Sequence, residues 1–396
     1  MDYKKTFPFY IAHGISKISN SLIDVFIIIF AAKHYAESPG TIGIIMFFKY
    51  IPYIIFGVYG GTFADSHNKI KIMYLSEIYR AALSVVLFFS IYSDNFIFLC
   101  LSLFLLTTAR CFYQPSQQTL VTKLFSDKDF QRINSIFQAI NEISDLIAPI
   151  ILGVIFYLFI GDNINYIVIF LCVLMYFVSF LIFYFNKKKL YCNYIYKETK
   201  ISSIIFFIPK SNILISNIFG STICILFVSS IFKIIFPIFI VNTLALESKN
   251  ITIFYTFMSL GTILSSGYIF RRGLKCENTM LFWLLYSFTI LISFLYDNPI
   301  YICIFLFLTG CFGAVVDICI VTNIQKHSKK NEMGKNFGMF SFLANTSESI
   351  SNLIIGNYLF MFPMTLTQYV GIILCILSIL NSLFFIYLQV IRYEKV

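Results

Sequence analysis

Apolar runs and short polar breaks alternate along this chain of 396 residues, and the runs have the length of membrane crossings. Six lie near residues 8–32, 41–64, 72–92, 96–116, 134–160 and 166–185. Six more follow a longer polar stretch, near 212–241, 250–270, 278–296, 300–323, 336–361 and 367–391. A helix needs about 20 apolar residues to cross the hydrocarbon core of a bilayer. Residues that stop helices fill the breaks: Ser38-Pro39-Gly40, Ser93-Asp94-Asn95, Gly161-Asp162-Asn163, Asp297-Asn298-Pro299 and Phe362-Pro363-Met364. The pattern predicts an all-α membrane protein with twelve transmembrane helices. The polar stretch 186–211, opening on Lys187-Lys188-Lys189, divides it into a first six-helix bundle (1–185) and a second (212–396). The first residues, MDYKKTFPFYIAHGISK, have a basic start but no small-residue cleavage site, so the first run reads as a retained span.

Composition agrees with the pattern. The chain is 59% hydrophobic and 12% charged, where a soluble domain carries about 25% charged residues. The net charge of +10 raises the question of an acidic partner, and the placement of the bases answers it. Numbered from the amino end, the loops on the side of the termini hold 22 lysines and arginines, while the opposite loops hold Lys33 and Lys249. Basic loops stay in the cytoplasm, so both termini are expected there, in a multi-pass protein of the cytoplasmic membrane. The charge implies a lipid bilayer and no nucleic acid.

Between the second and third spans the chain reads GTFADSHNKIKIMYL, Gly61 to Leu75. Its Gly61, Asp65, Lys69 and Lys71 resemble the signature loop between helices 2 and 3 of the major facilitator superfamily. There the aspartate pairs with basic residues and neighbouring helix ends to latch one conformation of a rocking transporter. Ser66, Asn68 and Ile70 depart from the pattern. The segment Arg110–Gly153 is similar to the fourth and fifth helices of the branch that holds macrolide exporters and enterobactin-type siderophore exporters. Asn134, Ser135, Ser144, Ala148, Pro149 and Gly153 stand where drug–proton antiporters carry a glycine-rich helix 5. The two halves also repeat weakly. Gly61 and Asp65 correspond to Gly267 and Arg271, and Arg132, Asp145 and Gly153 to Lys335, Glu348 and Gly356. Parallel six-helix repeats place a substrate site at their interface near the midplane.

Eleven charged side chains fall in or near the spans. Each costs about 2.5–3.5 kcal/mol at a helix centre, so each needs a partner, a route to the interface or a purpose. Glu77 and Arg80 are spaced to pair on one helix face, and Lys49 is placed to snorkel outward. Asp24, Arg110, Lys233 and Asp317 lie one each on spans 1, 4, 7 and 10, which line the cavity in the family resembled; they are the candidates for proton coupling and cargo contact. Asp24 leads, with Lys17 on its face seven residues earlier, and Asp317 follows. Lys17, Glu142, Asp145 and Glu348 are secondary polar candidates, and Glu142 with Asp145 are two acids on one face whose mutual repulsion favours a proton on one of them.

These readings imply a secondary transporter that exports an amphipathic small molecule, a drug or macrolide or a siderophore, by proton antiport, acting as a monomer. Uptake of a nutrient is the alternative. An enzyme is disfavoured because the chain has no HExxH, GxSxG or glycine-rich lysine loop. A sensor is disfavoured because no loop is long enough for a soluble domain. Neither cofactor nor metal is expected: the histidines His13, His34, His67 and His327 are scattered, and eight of the ten cysteines fall in apolar runs, with Cys192 and Cys276 in loops and no CxxC pair.

Overall fold

The structure, a computed structural model, describes residues 3–34, 39–159, 163–188, 211–246, 249–329, 332–361 and 367–393. The described residues form twelve long helices. The first six are α1 (Tyr3–His34), α2 (Pro39–Ser66), α3 (Lys69–Tyr92), α4 (Phe96–Leu124), α5 (Phe130–Leu158) and α6 (Asn163–Asn186). Next come α7 (212–243), α8 (Lys249–Arg272), α9 (Thr279–Leu295), α10 (Pro299–His327), α11 (Met333–Met361) and α12 (Thr367–Tyr393). Nine of them are long and apolar enough to cross a membrane; α9 is apolar but 17 residues long. Most of the stretch 186–211, with Cys192, lies outside the described residues, as does the break at Phe362-Pro363-Met364.

The breaks stop helices by identifiable means. Asn68, Asn95 and Asn298 cap α3, α4 and α10, their side-chain oxygens accepting first-turn backbone N–H groups. Asp94 adopts a left-handed φ of 47° to turn the chain between α3 and α4. Several helices outrun their apolar stretches: α4 continues to Leu124 and α10 to His327, through polar turns containing Gln117 and Gln325. Backbone hydrogen bonding continues a helix past the end of its apolar run until a cap intervenes. The turn read as running from Gly61 to Leu75 is correspondingly shorter, because α2 holds Asp65 in its last turn and only His67 and Asn68 separate it from α3.

The chain divides into two compact units. Unit one comprises Met1–Ser126, Ile140–Phe206 and Lys329–Phe342. Unit two comprises Asp127–Ala139, Phe207–Ser328 and Leu343–Val396. Both divisions within helices fall in α5 and α11, each of which gives its first turns to one unit and the remainder to the other. In unit one α1 packs on α6, α2 on α4, and α3 on both α4 and α6. In unit two α7 packs on α12, α8 on α10, and α9 on both α10 and α12. The adjacency repeats six helices later, which is the internal repeat in structural form.

Each unit has its own core. Leu22, Phe26, Leu87, Leu103 and Tyr176 centre the first. Phe236, Phe239, Phe254, Phe294 and Leu306 centre the second, with the rings of Phe239 and Phe294 at 5.1 Å. Large apolar side chains also point outward, among them Ile97, Phe170 and Leu264, as helices bathed in lipid require. Inside, hydroxyls bond back along their own helices, such as Ser84 to the Arg80 carbonyl at 2.9 Å and Ser116 to that of Phe112 at 2.8 Å. Asn323 ties α10 to the α8–α9 turn by donating to the Cys276 carbonyl (2.7 Å) and Thr279 Oγ1 (2.9 Å).

The expected Glu77–Arg80 pair forms at 2.6 Å and is fully buried in unit one. The guanidinium lies 4.6 Å from the ring centroid of Tyr113 and 4.9 Å from that of Tyr176. Removing one member of such a pair strands the other. Arg80→Leu is therefore expected to destabilise the protein by about 3–5 kcal/mol, read as a large drop in melting temperature in detergent. The double variant Arg80→Leu/Glu77→Leu should recover much of that loss.

Candidate transport site and interhelical latch

One face of α1 organises the charges of unit one. Lys17, Ser21 and Asp24 recur at helical spacing and reach three different helices. Asp24 accepts both terminal nitrogens of Arg110 from α4, each at 3.2 Å, in a fork-like pair. Lys49 from α2 reaches the same carboxylate at 3.2 Å. Lys49 does not snorkel outward: it is buried, because the Asp24 carboxylate offers it a counter-charge within the bundle. The Asp24 side chain is 33% exposed, the most open of the three. Asn20, one turn earlier, extends the network: its carbonyl oxygen Oδ1 accepts from Arg80 (3.2 Å) and the Tyr176 hydroxyl (2.8 Å).

Lys17 lies on the face of Asp24 but bonds Asp145 of α5 at 3.0 Å, and Ser21 donates to the same carboxylate. Asp145 therefore has a cationic partner in addition to its acidic neighbour Glu142. Nearby, His13 and Asn141 join α1 to α5 at 3.2 Å. Unit two repeats the device, with Lys233 of α7 paired to Glu348 of α11. Lys233 sits in a π-helical turn, Ile231–Ile235, one of three that interrupt α7; such turns redirect side chains and are frequent at functional sites. Asp317 of α10 is exposed and accepts from Gln138 at 3.2 Å. Among the described residues, no cation stands within ion-pair distance of Asp317.

The sequence reading missed Lys49 as a partner of Asp24 and Gln138 as a partner of Asp317. Both left a signal. A lysine in mid-span needs a counter-charge, and Gln138 stands four residues before Glu142, on the polar stripe of α5. The α8–α9 turn holds a further buried group. Cys276, outside the spans, has its thiol drawn below the ordinary cysteine range by hydrogen bonds from Cys319 and Gln131 and by the nearby charge of Lys326.

At the other end of α2, Asp65 is buried against the start of α11, within unit one. Its two oxygens accept the backbone N–H groups of Gly334 (2.7 Å) and Lys335 (2.9 Å). A carboxylate on first-turn amides complements both the unsatisfied donors and the helix dipole. Gly61, one turn earlier, makes this approach possible, since a Cβ there would overlap the Gly334 carbonyl oxygen. Lys69 donates to the Ala64 carbonyl at 2.8 Å, against the end of α2. Lys71 is exposed and turned elsewhere. The structure thus brings Gly61, Asp65 and Lys69 together at this crossing and leaves Lys71 outside it.

The family sequence model described as Major Facilitator Superfamily matches residues 9–351. The chain belongs to the major facilitator superfamily. It is a secondary transporter by family, and its all-helical fold is shared by solved members. A bacterial homologue of the iron transporter ferroportin, in an outward-facing state, superposes with a TM-score of 0.78 at 15% identity, over 97% of this chain and 98% of that one. The human organic anion transporter MFSD10 gives 0.76 at 10% identity, over 97% and 100%. The fucose:proton symporter of E. coli gives 0.69 at 11% identity, over 96% and 99%. At these identities the likeness is one of fold. No curated protein sequence matches the chain significantly.

Hydrogen bonds to a charged group contribute about 1.5–3 kcal/mol, so the Asp65 contact is strong enough to set a conformational equilibrium. In this superfamily member Asp65→Asn is expected to slow transport turnover tenfold or more while cargo binding stays measurable. Gly61→Val should do the same by steric overlap. Loss of cargo binding in a normally folded Asp65→Asn protein would assign the carboxylate to the cargo site instead.

Proposed function

We propose that this protein exports an amphipathic small molecule bearing an acidic group, in exchange for protons entering the cell. The observation that carries the reading is the Asp24 carboxylate, partly open and flanked at 3.2 Å by two cations, Arg110 and Lys49. One acid against two bases leaves a local positive surplus in a low-dielectric setting. An anionic or strongly accepting group on the cargo satisfies that surplus. A siderophore-type acid fits it better than a basic macrolide, so the exporter resemblance narrows toward the siderophore side. Aromatic and apolar side chains around the helices suit the remainder of such a molecule.

The proton belongs elsewhere on this reading. Protonating Asp24 would leave Arg110 and Lys49 facing each other without a counter-ion. Asp317 takes a proton without stranding a cation, since its partner is the neutral amide of Gln138. The spans contain six acids and five bases, so one bound proton brings them to neutrality. A proton moving down 100 mV releases about 2.3 kcal/mol, enough to drive a cargo gradient of more than tenfold at one-to-one coupling. The asymmetry of basic loops supports both termini in the cytoplasm, and the Asp65 contact supplies the latch between conformations. The protein works as a monomer in the cytoplasmic membrane.

Two experiments test this. Single cysteines at Asn163 and Asn298 should react with a membrane-impermeant maleimide in intact cells, and those at Lys188 and Lys329 only after permeabilisation. The reverse pattern at any position would overturn the topology.

For coupling, proteoliposomes enclosing a pH-sensitive dye are challenged with a catecholate siderophore, a carboxylate amphiphile and a macrolide. The acidic cargoes should move protons and the macrolide should not. Asp317→Asn should abolish cargo-driven proton movement while cargo-for-cargo exchange persists. Proton movement that survives in Asp317→Asn would eliminate Asp317 as the carrier.

A further inference from the structure

We propose that unit one holds a binding site for one anionic diacyl phospholipid. Its headgroup is received by Lys71, Lys187 and Lys188, and its acyl chain by a cleft walled by α2, α3 and α4. Two cavities meet at the start of α3. One, of about 400 Å³, is lined by Asn68, Ile70, Lys71, Tyr74, Lys187 and Lys188. The other, of about 610 Å³, has an apolar wall that includes Phe63, Leu75, Tyr79 and Phe112. They share Asn68 and Lys71, so a cationic chamber borders an apolar one.

Among the described residues, neither lining includes an acidic side chain. The acids nearest in sequence are engaged elsewhere: Asp65 with the backbone of Gly334 and Lys335, and Glu77 with Arg80. The basic wall is braced: Lys187 Nζ lies 3.7 Å from the Tyr184 ring centroid, and that ring meets Tyr74 at 5.9 Å. His67, at the junction, stacks on Phe63 at 3.8 Å. Along α3 the apolar cleft reaches Tyr79, eight residues past Lys71, which is about 12 Å at the helical rise. Leu75 and Tyr79 are 46% and 42% exposed on its open side, where lipid tails lie.

A soluble anion would need only the first chamber, and an apolar compound only the second. Their adjacency across Asn68 and Lys71 matches a molecule with an anionic head and a hydrocarbon tail. Basic pockets at helix ends attract such lipids with about 1 kcal/mol per lysine, equivalent to about fivefold in affinity. The leaflet, cytoplasmic, rests on the topology proposed above; the site itself does not.

The test uses purified full-length protein in detergent, with lipid adducts quantified by native mass spectrometry. Phosphatidylglycerol should be retained in preference to phosphatidylcholine. The triple variant K71Q/K187Q/K188Q should lose about 100-fold in apparent affinity for phosphatidylglycerol, and the single variant Lys188→Gln, at an exposed position, about fivefold. Tyr79→Ser should weaken binding several-fold without altering the headgroup preference. Arg271→Gln, a basic change in unit two, should leave it unchanged. Glycerophosphoglycerol, the headgroup without acyl chains, should not compete.

Equal retention of both lipids, or undiminished phosphatidylglycerol binding in the triple and single variants, would overturn the proposal. Competition by the headgroup alone would overturn it in favour of a soluble-anion site. Lipid binding is read without flux, so its failure leaves the transport reading standing. Maleimide labelling at Lys188 from outside would move the site to the other leaflet and fault the topology.

Discussion

A charge inside a bilayer must be answered by another charge, and in this protein that requirement decides which helices touch. Three positions on one face of α1, Lys17, Ser21 and Asp24, engage α2, α4 and α5 through Lys49, Arg110 and Asp145. Asn20 adds α3 and α6 through Arg80 and Tyr176. Apolar packing between membrane helices lacks the hydrophobic drive it has in water, because lipid tails are equally apolar. Polar contacts then contribute specificity that packing alone does not. Moving Asp24 by one residue would rotate it by about 100° around the helix and strand two cations. The register of α1 is fixed by electrostatics before it is fixed by shape.

The same requirement explains what could be read from the chain. Helix number and approximate ends were legible because apolar length and helix-stopping residues are local properties. Glu77 and Arg80 were legible because their pairing lies within one helix. For Lys49 the need of a counter-charge was legible but its supplier was not, since the partner comes from 25 residues earlier on another helix. Gln138 escaped for the same reason. The Asp65 contact was half legible: the motif identified the aspartate and its relation to a helix end, but backbone N–H groups have no sequence signature. Gly334, which lets that end approach, is recognisable only once its neighbour Gly61 is known.

The repeat shows which features follow from the architecture and which belong to one unit. Helix adjacency is reproduced six helices later throughout, and a lysine on the first helix of each set pairs with an acid on the fifth. Beyond that the units diverge. Unit one concentrates cations around one carboxylate, whereas the comparable α10 position in unit two is an acid beside a neutral amide. The fold can carry the same neighbour relations with opposite local charge. The function proposed above uses that divergence as a division of labour between cargo and proton, with no change in helix packing.

Exchange between the two sites needs no long-range wire. A ligand shifts a conformational equilibrium only by its differential affinity for the two states, and on the function proposed above the ion pairs are where that difference acts. Breaking the Arg110–Asp24 fork uncovers buried charge and is unfavourable unless an anionic group on the cargo replaces the carboxylate. Protonating Asp317 removes a negative charge that would otherwise need water. On the function proposed above, cargo and proton act with opposite charge, one satisfying a surplus cation and the other cancelling a surplus acid. At about 1.5–3 kcal/mol for each hydrogen bond to a charged acceptor, the two bonds of Asp65 with the α11 amides amount to about 3–6 kcal/mol. That exceeds the roughly 2.3 kcal/mol that a proton delivers per 100 mV, so on the function proposed above the contact is exchanged for others as the helices move and is not broken by the proton alone.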